Sequence, residues 1–169
     1  MIMRKLIFIF SFALLLSSCE KNHWDNPTVD QFVTMLKKGN YDSPFLPDYK
    51  PEDIEKLLLY ANDFSQIETF PVNPISSYFA PEFRLGECLL WTVESIRLNY
   101  DKANSYSKFP SLSPQLVIPG GTYEPQIASI DDLNRAYNLY LTWWTSNKNK
   151  NFEEFRNTNP LKDAVLMWR

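Results

Sequence analysis

Between Leu85 and Leu98 the apolar residues spread nearly all the way round a helix. Leu85, Leu89, Val93 and Ile96 recur at helical spacing along one face. Cys88, Leu90, Trp91 and Leu98 spread apolarity around the rest of the cylinder. A helix that is apolar nearly all round has to be covered on every side, so the other elements must wrap it. The pattern predicts a helix from Pro81 to Asn99 at the centre of the fold. With 169 residues in all, the chain has material for one domain of ordinary size around that centre.

The covering elements are legible by the same spacing. Val29, Phe32, Val33 and Leu36 form one helical face, with Thr28 or Asn26 available as cap, Lys37 and Lys38 at the negative end, and Gly39 as stop. Pro51-Glu52-Asp53 opens a second helix with stripe Ile54, Leu57, Leu58 and Ala61. Proline fits a first turn because its missing N–H costs nothing there, and the two acids face the positive helix end. Ser129-Ile130-Asp131-Asp132 has the form of a capping box. It leads into a helix with Leu133, Tyr137, Tyr140, Leu141 and Trp144 on one face. A last short turn is expected over Phe152–Arg156.

Prolines break up the intervals. Pro44 and Pro47 keep 40–50 irregular, and Pro71 and Pro74 make 63–80 a long connection. In 100–128, Gln115–Ile118 reads as a short strand. Pro119-Gly120-Gly121 reads as a turn and Thr122-Tyr123-Glu124 as the return strand of a small hairpin. The expected fold is mainly α: one compact domain over 28–169, of about four helices, with long proline-containing loops and room for one small β-hairpin.

The N-terminus reads as an address. Arg4 and Lys5 precede an apolar run, Leu6–Leu16, broken only by Ser11, and Ser17 and Ser18 then lead to Cys19. The run is too short to span a bilayer, which takes about 20 apolar residues, and its flanks are those of a cleaved signal peptide. Leu16-Ser17-Ser18-Cys19 resembles the lipobox of bacterial lipoproteins. The resemblance implies cleavage after residue 18, acylation of Cys19 and anchoring through the lipid, with 19–27 as a tether. Two or three acyl chains hold a protein firmly where one does not.

Charge and cysteine use narrow the partners. The chain carries 17 basic and 20 acidic residues, net −3, and loss of residues 1–18 removes two bases and no acid, taking this to −5. A nucleic-acid partner is not expected without a basic excess. With Cys19 lipidated, Cys88 is the one remaining thiol, so no intramolecular disulfide can form.

Residues able to do chemistry are few. The single His, His23, lies in the tether; no metal or other cofactor is expected. Cys88 sits among apolar neighbours and reads as a core thiol, not a nucleophile. The pairs Glu52/Asp53, Asp131/Asp132 and Glu153/Glu154 each fall in a first helical turn, where acids complement the dipole. Adjacent helical residues also diverge by about 100°, so no pair converges on one substrate. Glu94 and Arg97, three apart, read as an ion pair. Gly120-Gly121 lacks the spacing and the lysine of a phosphate loop.

Aromatics are the compositional outlier, at 15% with 5 Trp, 9 Tyr and 12 Phe. Trp143, Trp144, Tyr137, Tyr140 and Tyr123 are the candidate ligand-binding set, a platform that could stack on sugar rings while its polar edges stay wet. Trp143 and Trp144 are adjacent, so one is expected inside and the other toward the flank or surface.

Together with the lipobox, the segments PEDIEKLLLYAND (51–63), FPVNPISS (70–77), LGECLLWTVESIR (85–97) and YLTWW (140–144) resemble small lipoproteins of gut Bacteroidota. These form an uncharacterised family of unknown function, so the resemblance supplies no catalytic residues. It implies lipid anchoring, of the palmitate-bearing kind, in the outer membrane, facing the periplasm or the cell surface. The leading expectation is a non-catalytic envelope lipoprotein acting as a binding or assembly accessory. A glycan-binding module built on surface Trp and Tyr is the alternative, and a hydrolase using Glu82, Glu87 and Glu94 the third.

Overall fold

A computed structural model of the chain describes residues 26–77, 80–120 and 125–169. Cys19, His23, Tyr123 and the expected return strand at 122–124 lie outside the described residues. Five α-helices are present among them: α1 (Val29–Lys37), α2 (Ile54–Tyr60), α3 (Leu85–Asn99), α4 (Ile130–Thr145) and α5 (Phe152–Phe155). Five short strands join them: β1 (Gln66–Ile67), β2 (Phe83–Arg84), β3 (Leu116–Ile118), β4 (Gln126–Ile127) and β5 (Met167–Trp168).

The expected helix stops hold at residue level. Thr28 caps α1 in a capping box with Gln31, and Ser129 caps α4 in one with Asp132. Gly39, just past the end of α1, takes φ +66°, the left-handed conformation that glycine adopts without a Cβ penalty. Pro51–Asp53 forms a 3-10 turn that runs into α2, and Lys50 N–H donates to Asp53 across it.

As predicted, α3 is the centre: every residue from Leu85 to Arg97 is buried, and α3 packs on α1, α2 and α4. A ladder of ring contacts crosses the core beside it. It runs from Tyr41 and Tyr49 through Phe32 and Phe70 to Trp91 and Phe109. Gly86 admits the end of α2: a Cβ there would stand 2.3 Å from the carbonyl oxygen of Ala61. The Gly86 N–H donates to Asp63 O at 2.7 Å and the Leu85 N–H to Ser65 O at 3.0 Å, so the start of α3 is sewn to the chain after α2.

The mainly α expectation is overturned: the fold is mixed α/β, with two small antiparallel sheets. In the first, β1 pairs with β2, Gln66 opposite Arg84. Both lie where no strand was expected, β1 inside the 63–80 connection and β2 in the stretch assigned to the start of the central helix. The second has the order β4-β3-β5. Of the expected Gln115–Ile118 strand, Leu116–Ile118 forms, but its hairpin partner is Gln126–Ile127, and the chain's end returns to pair Leu116 with Trp168. Strands of two or three residues are too short to display alternation, and here their partners are supplied by distant segments.

Candidate functional site

The aromatic set nominated by the sequence is mostly inside. Tyr140 is fully buried, Trp143 and Trp144 are 6% and 7% exposed, and Tyr137 is half-buried. The expected division of the two tryptophans, one in and one out, does not occur. Both reach Phe155 of α5, at ring-centroid distances of 5.3 and 6.2 Å, because α5 folds back over the end of α4 and covers them. These side chains therefore form no exposed stacking platform. Trp144 does border a cleft of about 700 Å³, shared with Tyr100, Phe152 and Lys148. The indole nitrogens of Trp143 and Trp144 are buried without a hydrogen-bond partner.

Tyr140 belongs to a buried polar chain. The Trp168 indole N–H donates to the Tyr140 hydroxyl at 2.9 Å, and that hydroxyl donates to Glu94 Oε2 at 2.7 Å. Glu94 also takes both arms of Arg97, at 2.9 and 2.6 Å, and the guanidinium donates onward to the carbonyl of Arg156. The expected Glu94–Arg97 pair is thus real but buried, and it links α3, α4, β5 and the end of α5. Burial, then the Glu94 charge, pushes the Tyr140 phenol well above its usual range.

The other acids of the carboxylate reading are committed elsewhere. Glu82 pairs with Arg84. Glu87 stands seven residues before Glu94, two helical turns away, and accepts the Leu116 N–H at 2.6 Å. Burial raises its carboxyl to about 7. Cys88 is wholly buried and its thiol pushed well up by burial, the reverse of what a nucleophile needs. Among the described residues no group of three or more His, Cys, Asp or Glu could hold a metal ion, and no helix is long and apolar enough to cross a membrane.

A groove of about 720 Å³ runs between the outer side of α1 and the 40–48 loop. On the helix side it is lined by Asp30, Gln31, Thr34, Met35 and Lys38, spaced three and four apart so that one face supplies the whole wall. The opposite wall is the loop from Asn40 to Asp48, with Phe45 and the buried Tyr41, Leu46 and Pro47. That loop has no regular structure but is closely tied. The Tyr41 hydroxyl donates to Phe45 O at 2.7 Å, and Ser43 Oγ accepts the Phe45 N–H. Asn26 exchanges two bonds with Asp48, and the Tyr49 hydroxyl donates to Pro27 O.

The groove mouth carries an aromatic pair that sequence inspection did not single out. Phe45 and Tyr106 meet edge to face, with centroids 4.8 Å apart, and Tyr106 is 55% exposed. Tyr106 rides on a 3-10 turn, Ser105–Lys108, capped by Asn104, and Ser105 lines the groove. Ser95 and Asn99 of α3 both donate to the carbonyl of Lys108, and the Lys108 ammonium pairs with Asp48 across the mouth. Phe45 and Tyr106 are far apart in the chain and neither falls on a periodic segment, so no local signal marks them as partners.

Searches of curated proteins and of solved structures return no match. A family model described as a domain of unknown function, DUF4943, matches residues 23–169, and the chain belongs to that family.

Proposed function

We propose that this protein is a lipid-anchored component of a bacterial outer membrane whose folded domain serves as a non-catalytic binding or assembly accessory. The observation that carries the anchor is the register of Arg4-Lys5, the apolar run Leu6–Leu16 and the sequence Leu16-Ser17-Ser18-Cys19. Six residues, 20–25, separate Cys19 from Asn26, a span of at most about 25 Å when extended. The domain and its groove thus stay close to the membrane surface. The binding role is supported by the pre-formed groove between α1 and the 40–48 loop. It is supported also by the acids of α3, each of which already serves a backbone or side-chain partner.

Metabolic labelling with a palmitate analogue, followed by membrane fractionation, tests the anchor. The wild-type chain should carry the label and sediment with outer membranes, and Cys19→Ala should lose both. Label retained in Cys19→Ala would overturn the reading. A periplasmic or surface position is then read by protease treatment of whole cells.

A further inference from the structure

The geometry points to the groove between α1 and the 40–48 loop as a saccharide site, taking an oligosaccharide with one sugar ring against the Phe45–Tyr106 pair. This rests on the proposed binding role of the domain and names its ligand class.

Sugar rings are recognised by two features together: a flat aromatic face for the apolar C–H side, and amides, hydroxyls and carboxylates for the ring hydroxyls. The groove brings both to one place. Tyr106 packs on the groove-lining Phe45, follows the groove-lining Ser105 and exposes more than half its surface. Asn40, Thr34, Ser43 and Ser105 line it together with the apolar Met35 and Leu46. The groove follows α1 for about 12 Å between Asp30 and Lys38 at 1.5 Å per residue, room for a chain of sugars instead of a single unit.

The groove holds both signs of charge: Lys38 lines it at one end, and its acids Asp30 and Asp48 are each met by lysine. Asp30 is met by Lys56 at 3.1 Å and by the Tyr60 hydroxyl at 2.5 Å. Asp48 is met by Lys50 at 3.1 Å and by Lys108. Carboxylates so matched remain hydrogen-bond acceptors for sugar hydroxyls. Both walls are also held in place before any ligand arrives. The 3-10 turn under Tyr106 is pinned to α3 through Lys108 O, and the loop under Phe45 is pinned through Tyr41, Ser43 and Asn26. A site whose parts are ordered in advance loses less entropy on binding.

The test is titration calorimetry on the full lipidated chain in detergent, with neutral oligosaccharides of glucose, mannose, galactose and xylose, and oligogalacturonate as the acidic comparison. At least one series should bind. Tyr106→Ala should weaken it by about tenfold or more, while Tyr106→Phe, which keeps the ring, should retain it. Tyr106 is exposed, so its removal should leave the thermal unfolding midpoint in place, and Asn40→Ala supplies a second, non-aromatic variant. Failure of every series to bind would overturn the proposal, as would binding unchanged in both Tyr106→Ala and Asn40→Ala. None of these outcomes bears on lipid anchoring, which the Cys19→Ala fractionation reads separately.

Discussion

Glu87, in the first turn of α3, accepts the backbone N–H of Leu116 at 2.6 Å, so a buried carboxylate ties the central helix to the middle strand of the three-stranded sheet. Burial is the main reason its carboxyl titrates at about 7, against an ordinary value of 4.5. Between those two values the folded chain holds a proton that the unfolded chain has released. Stability from this group therefore falls as pH rises from 4.5 to 7, by up to about 3 kcal/mol, and is flat on either side. Glu87→Gln keeps an acceptor for Leu116 and removes the charge. Urea unfolding at pH 5 and pH 8 should show the variant losing less stability between the two than wild type does. An equal loss would refute the assignment.

The chain from Trp168 through Tyr140 and Glu94 to Arg97 should behave as one unit. Glu94→Ala leaves a buried guanidinium without its partner and should cost about 3–5 kcal/mol. Trp168→Phe removes one neutral bond and should cost about 1 kcal/mol. Chemical denaturation of both single variants and the double variant should give a sum larger than the double measured together, because removing Glu94 already disrupts what Trp168 supports.

Gly86 is required by a close approach and not by backbone conformation. A methyl group there would collide with the Ala61 carbonyl, a backbone atom that cannot swing away. Gly86→Ala should destabilise by about 1–3 kcal/mol, despite alanine's better helix propensity. Thermal melts check this, with an unchanged or raised midpoint counting against it.

The cap of α4 is worth measuring by itself. Ser129→Ala deletes the acceptor of the Asp132 N–H and the donor to its carboxylate, while Asp132 keeps the Ser129 N–H. A loss of about 1 kcal/mol is expected, and Ser129→Asp should restore most of it. Unfolding of α4 followed by circular dichroism reports both.

How much of this was legible beforehand depends on whether the information is local. Thr28, Gly39, Ser129 and the all-round apolarity of 85–98 act within a few residues of themselves, and each does in the structure what its position implies. The strands fail that criterion. Gln66–Ile67 is a strand because Phe83–Arg84 lies beside it, and Leu116 because Trp168 does. Reading Pro81–Arg84 as helix was the direct consequence, since nothing in those four residues announces a partner.

The candidate binding residues divide along the same line. Composition marked the aromatics as the feature with a ligand in prospect, but burial is a property of the assembled chain. The return of α5 over α4 closes Trp143 and Trp144 into the core, and the tie from Trp168 fixes Tyr140 beneath them. Phe45 and Tyr106, in two irregular segments, are left at the mouth of the groove. From the sequence alone came the helices, their caps, the core helix and the candidate lipid address. Tertiary structure decided the sheets and which aromatic rings meet water, because both depend on which distant segments come to lie side by side.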